Sequence, residues 1–315
     1  MHVIDDIAAL GKLRGPLRLA IGVFDGVHLG HRAVIEAAKA PPGEGTVVVV
    51  TFDPHPVEVL AREKAPRLLS DTEHKLHILA RDLGVGQVLL IRFDETFAGW
   101  SGEEFVDRLV AAAPPEGIAR ICVGSDWRFG KARSGDFALL ERLGRERGFG
   151  IHGVGTVEVD GLRVSSTRVR EAVAAGDLDT AATLLGRRYS VHGRVAEGRR
   201  LGRTLGFPTA NLAVKREQLP PPGVYVVRAT GAGDSWGGVA NLGFRPTVEE
   251  SGAEMRLEAH LFGLGHDIYG EDLEVEFLAC LREERRFDGI EALREQIGKD
   301  VAKAREILGE SAAEN

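Results

Sequence analysis

The stretch Leu19-Ala-Ile-Gly-Val-Phe-Asp-Gly-Val-His-Leu-Gly-His31 joins an apolar run to a pair of histidines across a glycine turn. The apolar run over residues 19–24 predicts a buried parallel strand, and the amphipathic pattern over residues 31–39 predicts a helix. Open α/β sheets bind ligands where a strand ends and a helix begins, because the helix N-terminus presents unpaired amide N–H groups to an anion. His28 and His31 are three residues apart, so both can reach one phosphate if the first helical turn includes them.

The alternative for this pair is purely structural, with the two histidines capping a helix. Gly26 and Gly30 favour the ligand site, since neither carries a Cβ and a nucleotide can approach the backbone closely. The string resembles the HxGH signature of the nucleotidyltransferase superfamily, which implies that the histidines hold ATP phosphates while adenylate moves to an acceptor. Adenylyltransferases for several acceptors and one class of aminoacyl-tRNA synthetases share this signature, so other segments must distinguish among them.

Length and composition indicate a cytoplasmic protein of two domains. The chain has 315 residues, of which 43% are hydrophobic and 28% charged, values typical of soluble globular proteins. The net charge of −7 and the scarcity of aromatic residues predict no nucleic-acid partner. No apolar run approaches the roughly 20 residues of a membrane span, and the N-terminus is acidic where a signal peptide is basic, so no membrane partner is expected. Cys122 and Cys280 lack metal-site spacing and are interpreted as buried apolar residues.

Residues 1–186 are interpreted as one α/β domain, because short apolar strands alternate there with amphipathic helices. This alternation predicts a doubly wound parallel sheet of the nucleotidyltransferase type. Capping boxes at Ser70-Asp-Thr-Glu73 and Ser101-Gly-Glu-Glu104 predict two helix starts. The predicted strands cover residues 17–24, 46–52, 87–93, 119–124 and 150–157.

The pattern changes after Leu185-Gly-Arg-Arg188, which predicts a second domain over residues 187–315. Strand-like runs without helices between them indicate an antiparallel sheet closed into a small β-barrel. These runs cover residues 189–195, 224–229, 236–242, 255–262 and 273–281. Apolar residues at helical spacing near the C-terminus predict a long helix that covers one side of the barrel. They are Ile290, Leu293, Ile297, Val301 and Ile307.

Two loops of the first domain bring polar groups to the same edge of the predicted sheet. Thr51-Phe-Asp-Pro-His-Pro56 ends the second predicted strand in a proline-stiffened turn, for which a solvated loop carrying His55 is the alternative. The segment Val123-Gly-Ser-Asp-Trp-Arg-Phe-Gly-Lys-Ala-Arg-Ser-Gly135 follows the fourth predicted strand and suits a polyphosphate or a phosphorylated acceptor. An ordinary charged surface loop is the alternative there. The charged residues of that loop are Asp126, Arg128, Lys131 and Arg133.

A third segment, Arg163-Val-Ser-Ser-Thr-Arg-Val-Arg170, leads into a predicted helix at residues 169–175. Ser166 and Thr167 can either cap that helix or donate hydrogen bonds to a phosphate, with Arg163 and Arg168 supplying positive charge.

The second domain carries the glycine-punctuated string Gly198-Arg-Arg-Leu-Gly-Arg-Thr-Leu-Gly-Phe-Pro-Thr-Ala-Asn-Leu212. Thr209 and Asn211 are two residues apart, so on an extended chain their side chains point the same way. Both are hard oxygen ligands suited to a Mg²⁺ ion that bridges nucleotide phosphates. An ordinary turn is the alternative, since glycine, proline, asparagine and threonine are common turn residues.

Together these segments resemble the bacterial bifunctional riboflavin kinase/FMN adenylyltransferase family, also called FAD synthetases, and the resemblance covers nearly the whole chain. The first domain has FDGVHLGH, TFDPHP, the GxDxxFG loop and SSTRVR in the family's order, and the second has GFPTAN. The resemblance implies that the second domain phosphorylates riboflavin to FMN and the first adenylates FMN to FAD. ATP would be the co-substrate and Mg²⁺ the cofactor. The lysine-rich second signature of the tRNA synthetases is not found.

The resemblance also implies roles for individual residues. Glu258 would be the general base of the kinase, and His28 and His31 would act in adenylation. Thr209 and Asn211 would be the metal ligands, and the flavin contacts would be His55, Asp126 and Arg128. Trp127 departs from the phenylalanine expected in the GxDxxFG loop. The implied nucleotide-binding residues are Gly22, Phe24, Asp25, Gly26, His28, His31, Asp126, Arg163, Ser166, Thr167, Gly206, Pro208, Thr209 and Asn211.

The strand Met255-Arg-Leu-Glu-Ala-His-Leu-Phe262 leaves two interpretations of Glu258 open. Alternation puts Glu258 and His260 on the face opposite Leu257 and Leu261. Glu258 is then either a solvated carboxylate outside an apolar barrel or the base that accepts a proton from the riboflavin hydroxyl.

Rival functions for the whole chain are an enzyme with only one active half and a flavin-binding regulator without turnover. An adenylyltransferase for another acceptor would leave the barrel unexplained.

Overall fold

A computed structural model describes residues 1–41, 44–197, 206–214, 216–231, 233–245 and 254–309 of the chain. The chain forms two compact units. The first, here called the α/β unit, contains Met1–Pro66 and Lys75–Ser166. The second, here called the barrel unit, contains Arg67–His74 and the chain from Thr167 onward.

The α/β unit is built on a six-stranded sheet whose neighbouring strands are all parallel. Its strands are β1 (His2–Ile4), β2 (Leu17–Ile21), β3 (Thr46–Asp53), β4 (Gln87–Arg92), β5 (Ile118–Gly124) and β6 (Gly150–Val154). Their order across the sheet is β1-β4-β3-β2-β5-β6. The predicted doubly wound parallel sheet is confirmed. The pattern missed β1, because three residues are too few to show a period, and predicted β2 and β6 three residues too long.

Helices cover both faces of this sheet, because alternate strand residues point into two separate cores. Leu19 packs with Phe105 and its neighbours on one face, whereas Ala20 packs with Ile35 and Leu79 on the other. The helices are α1 (Leu29–Lys39), α2 (Pro56–Leu60), α3 (Thr72–Leu83), α4 (Glu95–Ala98), α5 (Gly102–Ala112) and α6 (Phe137–Arg147). A small hairpin of β7 (Glu158–Val159) and β8 (Leu162–Arg163) follows the sheet and was not predicted.

A helix starts at each of the two predicted capping boxes, but the capping residue is the predicted one only at α5. Ser101 is the N-cap of α5 and its side chain accepts a hydrogen bond from the Glu104 amide at 3.0 Å. At α3, by contrast, the Asp71 carboxylate accepts from the His74 amide at 2.7 Å, so Asp71 rather than Ser70 caps the helix. Aspartate and serine are equally good caps, so sequence preference alone does not choose between neighbours.

The barrel unit contains a closed six-stranded barrel whose neighbouring strands are antiparallel, as predicted. Its strands are β9 (Ser190–Ala196), β10 (Ala210–Leu212), β11 (Gly223–Gly231), β12 (Asp234–Arg245), β13 (Glu254–Leu261) and β14 (Asp272–Glu283). They close in the order β10-β13-β12-β11-β14-β9. Tyr225, Leu257 and Phe277 are buried in the interior. Cys122 is buried as expected, but Cys280 is exposed, because the pairing of β14 with β11 shifts register beside it.

Helices α7 (Ser166–Ala174), α8 (Leu178–Leu185) and α9 (Ile290–Leu308) complete the fold. The predicted cover of the barrel by the C-terminal helix is confirmed, since Val301 and Ala304 of α9 pack on Val224 and its neighbours on the outer wall. Ile290 and Ile307, predicted to share this contact, are instead exposed in the first and last turns of α9. In the described part of the chain, no helix combines the length and apolar character that a membrane crossing requires.

Candidate active sites

The carboxyl ends of β2, β5 and β6 enclose a cavity of about 300 Å³, here called the switch-point cavity. The chain runs from β2 to β3 and β4 on one side, and from β5 to β6 on the other, so strand order reverses between β2 and β5. Open α/β sheets bind ligands in the crevice at such a reversal. The predicted nucleotide-binding residues that line it are Gly22, Phe24, His28, His31, Asp126, Arg163 and Ser166.

The histidine pair both starts α1 and faces this cavity. His28 is the N-cap, and its Nδ1 accepts a hydrogen bond from the His31 amide at 3.3 Å. The two rings stack with centroids 3.6 Å apart and planes 16° apart. An accepting Nδ1 carries no proton, so this hydrogen bond assigns the His28 proton to Nε2, a donor suited to a phosphate oxygen. The cap and the ligand-site interpretations are therefore compatible.

The turn that delivers the histidines is strained. Phe24, Gly26 and Val27 have φ values of +53°, +77° and +42°. A β-branched residue in this region is a genuine outlier, and such strain of about 1–3 kcal/mol per residue clusters at functional sites. The Ser166 hydroxyl donates to the Asp25 carbonyl at 3.0 Å, which ties Ser166 to this turn, whereas Thr167 belongs to the barrel unit.

Asp126 and Arg163 meet at the cavity. The Arg163 guanidinium lies 2.5 Å from the Asp126 carboxylate, and each side chain is 57% exposed. Exposed ion pairs contribute about 1 kcal/mol or less. The guanidinium can therefore exchange this carboxylate for a phosphate at little cost.

Two predicted flavin contacts do not reach this cavity. His55 caps α2, where its Nδ1 accepts from the Val57 amide at 3.2 Å. Arg128 donates to the Asp136 carboxylate at 3.1 Å. Both side chains are used by hydrogen-bond partners close in sequence, and neither lines the cavity.

Sequence reasoning missed Lys75, which is 5% exposed. Its ammonium donates to the Thr51 hydroxyl at 3.2 Å and to the Phe52 carbonyl at 3.1 Å, and Thr51 in turn donates to the Val23 carbonyl at 2.9 Å. These bonds join the last residues of β3 to the segment that follows β2. A single lysine in an amphipathic helix gives no sequence signal of such a role.

Trp127 supplies an aromatic wall to the switch-point cavity. Its ring stacks on that of Phe129 at 4.5 Å with planes 9° apart. Phe129 is buried, whereas Trp127 is half-buried and lines the cavity beside Asp126. The tryptophan therefore presents its aromatic surface to the switch-point cavity.

Two cavities among the described residues of the barrel unit meet at Thr209. One, of about 390 Å³, lies between the segment Pro208, Thr209, Ala210 and the loop that follows β13, and is here called the loop cavity. The other, of about 350 Å³, lies between the outer barrel wall and α9, and is here called the helix cavity. Thr209 lines both. Of the other predicted positions, Gly206 and Pro208 are exposed beside Thr209, and residues 198–205 lie outside the described residues.

Glu258 lies in the helix cavity, between two asparagines. Asn211 of β10 pairs with Glu258 on one side, and Asn241 of β12 pairs with it on the other. Directly paired residues project from the same face of a sheet. This is the outer face, because the neighbouring Leu257 is buried inside the barrel. The predicted alternation is therefore correct, but α9 covers the face that it leaves outside. The string Asn241-Leu-Gly-Phe-Arg-Pro-Thr247 also matches the family, but sequence reasoning gave Asn241 no role in the site.

A buried ion pair holds α9 at this wall. Arg282 of β14 donates to both carboxylate oxygens of Asp300, with its closest nitrogen 2.9 Å away, and the Gln296 amide donates to the same carboxylate at 2.7 Å. The Asp300 side chain is 7% exposed. Arg282, Asp300 and the apolar residues Leu293 and Ile297 form one side of the helix cavity.

Comparison with known proteins gives a consistent result for both units. A family model described as FAD synthetase matches residues 12–168, and one described as riboflavin kinase matches residues 185–308. The bifunctional riboflavin kinase/FMN adenylyltransferase of Escherichia coli strain K12 is 42% identical over 92% of both chains. The protein of that name from Pseudomonas fluorescens is 44% identical over 93% of both. The one from Bacillus subtilis is 36% identical over 91% of this chain and 90% of its own.

Among solved structures, the chain is similar to one titled a macrolide-efflux protein from Streptococcus pneumoniae. The TM-score is 0.79 at 29% identity, with 95% of this chain and 96% of that chain covered. The likeness therefore extends over both units.

Proposed function

The chain belongs to the bifunctional riboflavin kinase/FMN adenylyltransferase family, and from this membership we propose how its two sites divide the two reactions. The protein phosphorylates riboflavin with ATP to FMN and adenylates FMN with ATP to FAD, releasing pyrophosphate. We assign adenylation to residues 1–186 and the kinase to residues 187–315. The observation that carries this assignment is that each unit has its own cavity, one lined by His28, His31 and Arg163 and the other by Thr209 and Glu258.

In adenylation, an FMN phosphate oxygen attacks the α-phosphorus of ATP, and the bond to pyrophosphate breaks. Phosphate is already a competent nucleophile, so the chain has to position the two substrates and neutralise the charge that grows on the phosphates. His28 and His31 with the amides at the start of α1 would bind the ATP phosphates, assisted by Arg163. Trp127 would face the ring of a substrate.

In the kinase, the riboflavin 5′-hydroxyl attacks the γ-phosphorus of ATP, and the bond to ADP breaks. We place the flavin in the helix cavity and the nucleotide in the loop cavity, so that the reacting atoms meet beside Thr209. Glu258 would accept the hydroxyl proton as the new oxygen–phosphorus bond forms, because an alcohol is a poor nucleophile while it keeps that proton.

Families of ATP-dependent kinases and adenylyltransferases use a divalent metal, and we propose Mg²⁺ here. The residues fit such an ion when it is bound together with a nucleotide. Thr209 and Asn211 provide neutral oxygen ligands, and Mg²⁺ usually completes its shell with phosphate oxygens and water. Among the described residues, no group of three or more histidine, cysteine or acidic side chains is arranged to hold a metal without the nucleotide. The bound ion would neutralise charge on the transferred phosphoryl group.

We place the protein in the cytoplasm, with riboflavin, FMN, FAD and ATP as its small-molecule partners. The experiment that tests the assignment is chromatography of flavins after incubation of the protein with riboflavin, ATP and Mg²⁺. FMN should form first and FAD second, and a chelator should stop both. Formation of FMN without FAD, or of neither product, would contradict the proposal for the corresponding cavity.

A further inference from the structure

His260 contacts the segment that carries Thr209. It follows Glu258 by two residues on β13, so both side chains project from the outer face of the barrel and line the helix cavity. The His260 Nδ1 lies 2.8 Å from the Pro208 carbonyl oxygen. The ring also meets that of Phe207 edge-on, with centroids 5.4 Å apart and planes at 90°. One side chain therefore holds the two residues that precede Thr209.

The partner of His260 identifies its tautomer. A carbonyl oxygen only accepts hydrogen bonds, so Nδ1 is the donor and carries a proton. Burial lowers the pKa of His260, while the Pro208 carbonyl opposes this and Arg305 adds to it. The lowered pKa favours the neutral imidazole, in which Nδ1 carries the proton and Nε2 does not.

The Pro208 carbonyl oxygen, which His260 contacts, belongs to the peptide group that joins Pro208 to Thr209. Because the peptide group is planar, fixing the Pro208 oxygen also fixes the amide nitrogen of Thr209. Thr209 lies where the loop and helix cavities meet, so a small rotation of this plane moves its hydroxyl relative to both cavities. Misplacement of a reacting group by about 1 Å can cost about 100-fold in rate.

We propose that His260 is a positioning residue of the kinase site, which holds Thr209 at the junction of the two cavities by donating from Nδ1 to the Pro208 carbonyl. The inference rests on the proposed role of Thr209 in phosphoryl transfer. It does not require that His260 touch a substrate.

The test compares two amide substitutions in the full-length protein. In His260→Asn the amide nitrogen replaces Nδ1 and can still donate to Pro208, whereas in His260→Gln the amide lies near the position of Nε2. We expect His260→Gln to lower the kcat of riboflavin phosphorylation about 10- to 100-fold. His260→Asn should restore kcat to within about fivefold of wild type. A positioning role predicts that the loss falls on kcat, whereas loss of a flavin contact in the helix cavity would appear as a higher riboflavin KM.

Three results would overturn the proposal. Wild-type kcat in both variants would show that the hydrogen bond does not matter, and an active His260→Gln beside a slow His260→Asn would assign the role to Nε2. Equal losses in both variants, whether or not the thermal midpoint falls with them, would mean that a donor at the Nδ1 position is not what the site requires.

Thr209→Ala separates this inference from the proposed function. If it leaves the kinase unchanged, the assignment of Thr209 fails, whereas a slow Thr209→Ala beside a wild-type His260→Gln contradicts only the role of His260.

Discussion

The two candidate sites differ in where they lie on their strands: one lies at strand ends and the other on a strand face. In the α/β unit, the switch-point cavity lies at the ends of parallel strands, where a strained turn delivers His28 and His31 to the start of a helix. In the barrel unit, the site lies on the side of antiparallel strands, where Glu258 stands in a row of paired residues under α9. Adenylation needs charge stabilisation, which helix ends provide. The kinase reaction needs a base beside an alcohol, and a strand face can hold such a base. Changes in one site should therefore leave the other reaction intact.

The largest effect is expected from replacing both His28 and His31 by alanine. The variant loses preorganised donors at the ATP phosphates, so FAD formation from supplied FMN should fall about 10²- to 10⁴-fold. Riboflavin phosphorylation should stay within about twofold of wild type, since no barrel residue is changed. Initial rates of both reactions measure the difference. Equal loss of both activities would show that the two sites are not independent.

Glu258→Gln changes the kinase site and leaves the adenylation site intact. Glutamine keeps the shape of the side chain but cannot accept the hydroxyl proton, so kinase turnover should fall about 10²- to 10⁴-fold with little change in riboflavin KM. Adenylation of supplied FMN should be unchanged. Kinase turnover within about threefold of wild type would restore the solvated interpretation of Glu258, since exposed carboxylates contribute little.

Asp300→Asn tests whether the second site depends on α9. Removing one charge from the buried pair with Arg282 should lower the free energy of unfolding by up to about 3–5 kcal/mol and raise the riboflavin KM. Glu295→Gln on the same helix is the matched control, because its ion pair with Lys299 is exposed and should contribute little to stability. Chemical denaturation and kinase kinetics compare the two variants. Equal stability of both would mean that the pair does not anchor the helix.

The smallest effect concerns pH, and it belongs to the barrel unit. The Asp71 carboxylate, 3.9 Å from Nδ1, raises the pKa of His192, so its protonated form is favoured on folding. This stabilisation is complete below the unfolded pKa of about 6.5 and is lost as pH rises through the folded value. His192→Gln should therefore lower the thermal midpoint more at about pH 5.5 than at about pH 8.5. A midpoint difference that is independent of pH would contradict this account.

His74, in the same cluster, should respond to pH in the opposite sense. Burial lowers its pKa even though Glu274, 3.1 Å away, favours the charged form. Folding therefore favours the neutral ring. Its contribution to the free energy of unfolding is complete above the unfolded pKa and declines as pH falls below that value. The His192 contribution should thus be measured as a difference between variants, because the wild-type profile contains both.

The first site was largely predictable because its residues lie in contiguous strings. A strand, a turn and a helix start are local structures, so the spacing of His28 and His31 already indicates their shared face. Arg128 and His55 lie in equally suggestive strings, but neither lines the switch-point cavity, and each makes a local hydrogen bond. Nothing in the composition of a loop distinguishes a ligand contact from such local hydrogen bonds.

The predictions for the second site came from contiguous strings, at Thr209 and Asn211 and at Glu258 in its alternating strand. Asn241, Arg282 and Asp300 come from two strands and a helix, and each alone has the appearance of a surface residue. Closure of the barrel and packing of α9 bring them together, and neither event leaves a periodic trace in the sequence. Alternation gave the correct face for Glu258 but could not indicate that a helix covers that face.

The most direct test of two independent sites is complementation between the two inactive variants. The His28→Ala/His31→Ala protein should make FMN only, and Glu258→Gln should make neither product from riboflavin. Mixed with riboflavin, ATP and Mg²⁺, they should produce FAD after a lag, at a rate that approaches that of Glu258→Gln supplied with FMN. Chromatography of the flavins over time records this result. If the mixture forms FAD no faster than either variant alone, while Glu258→Gln still converts supplied FMN, the two reactions do not proceed at separate sites through released FMN.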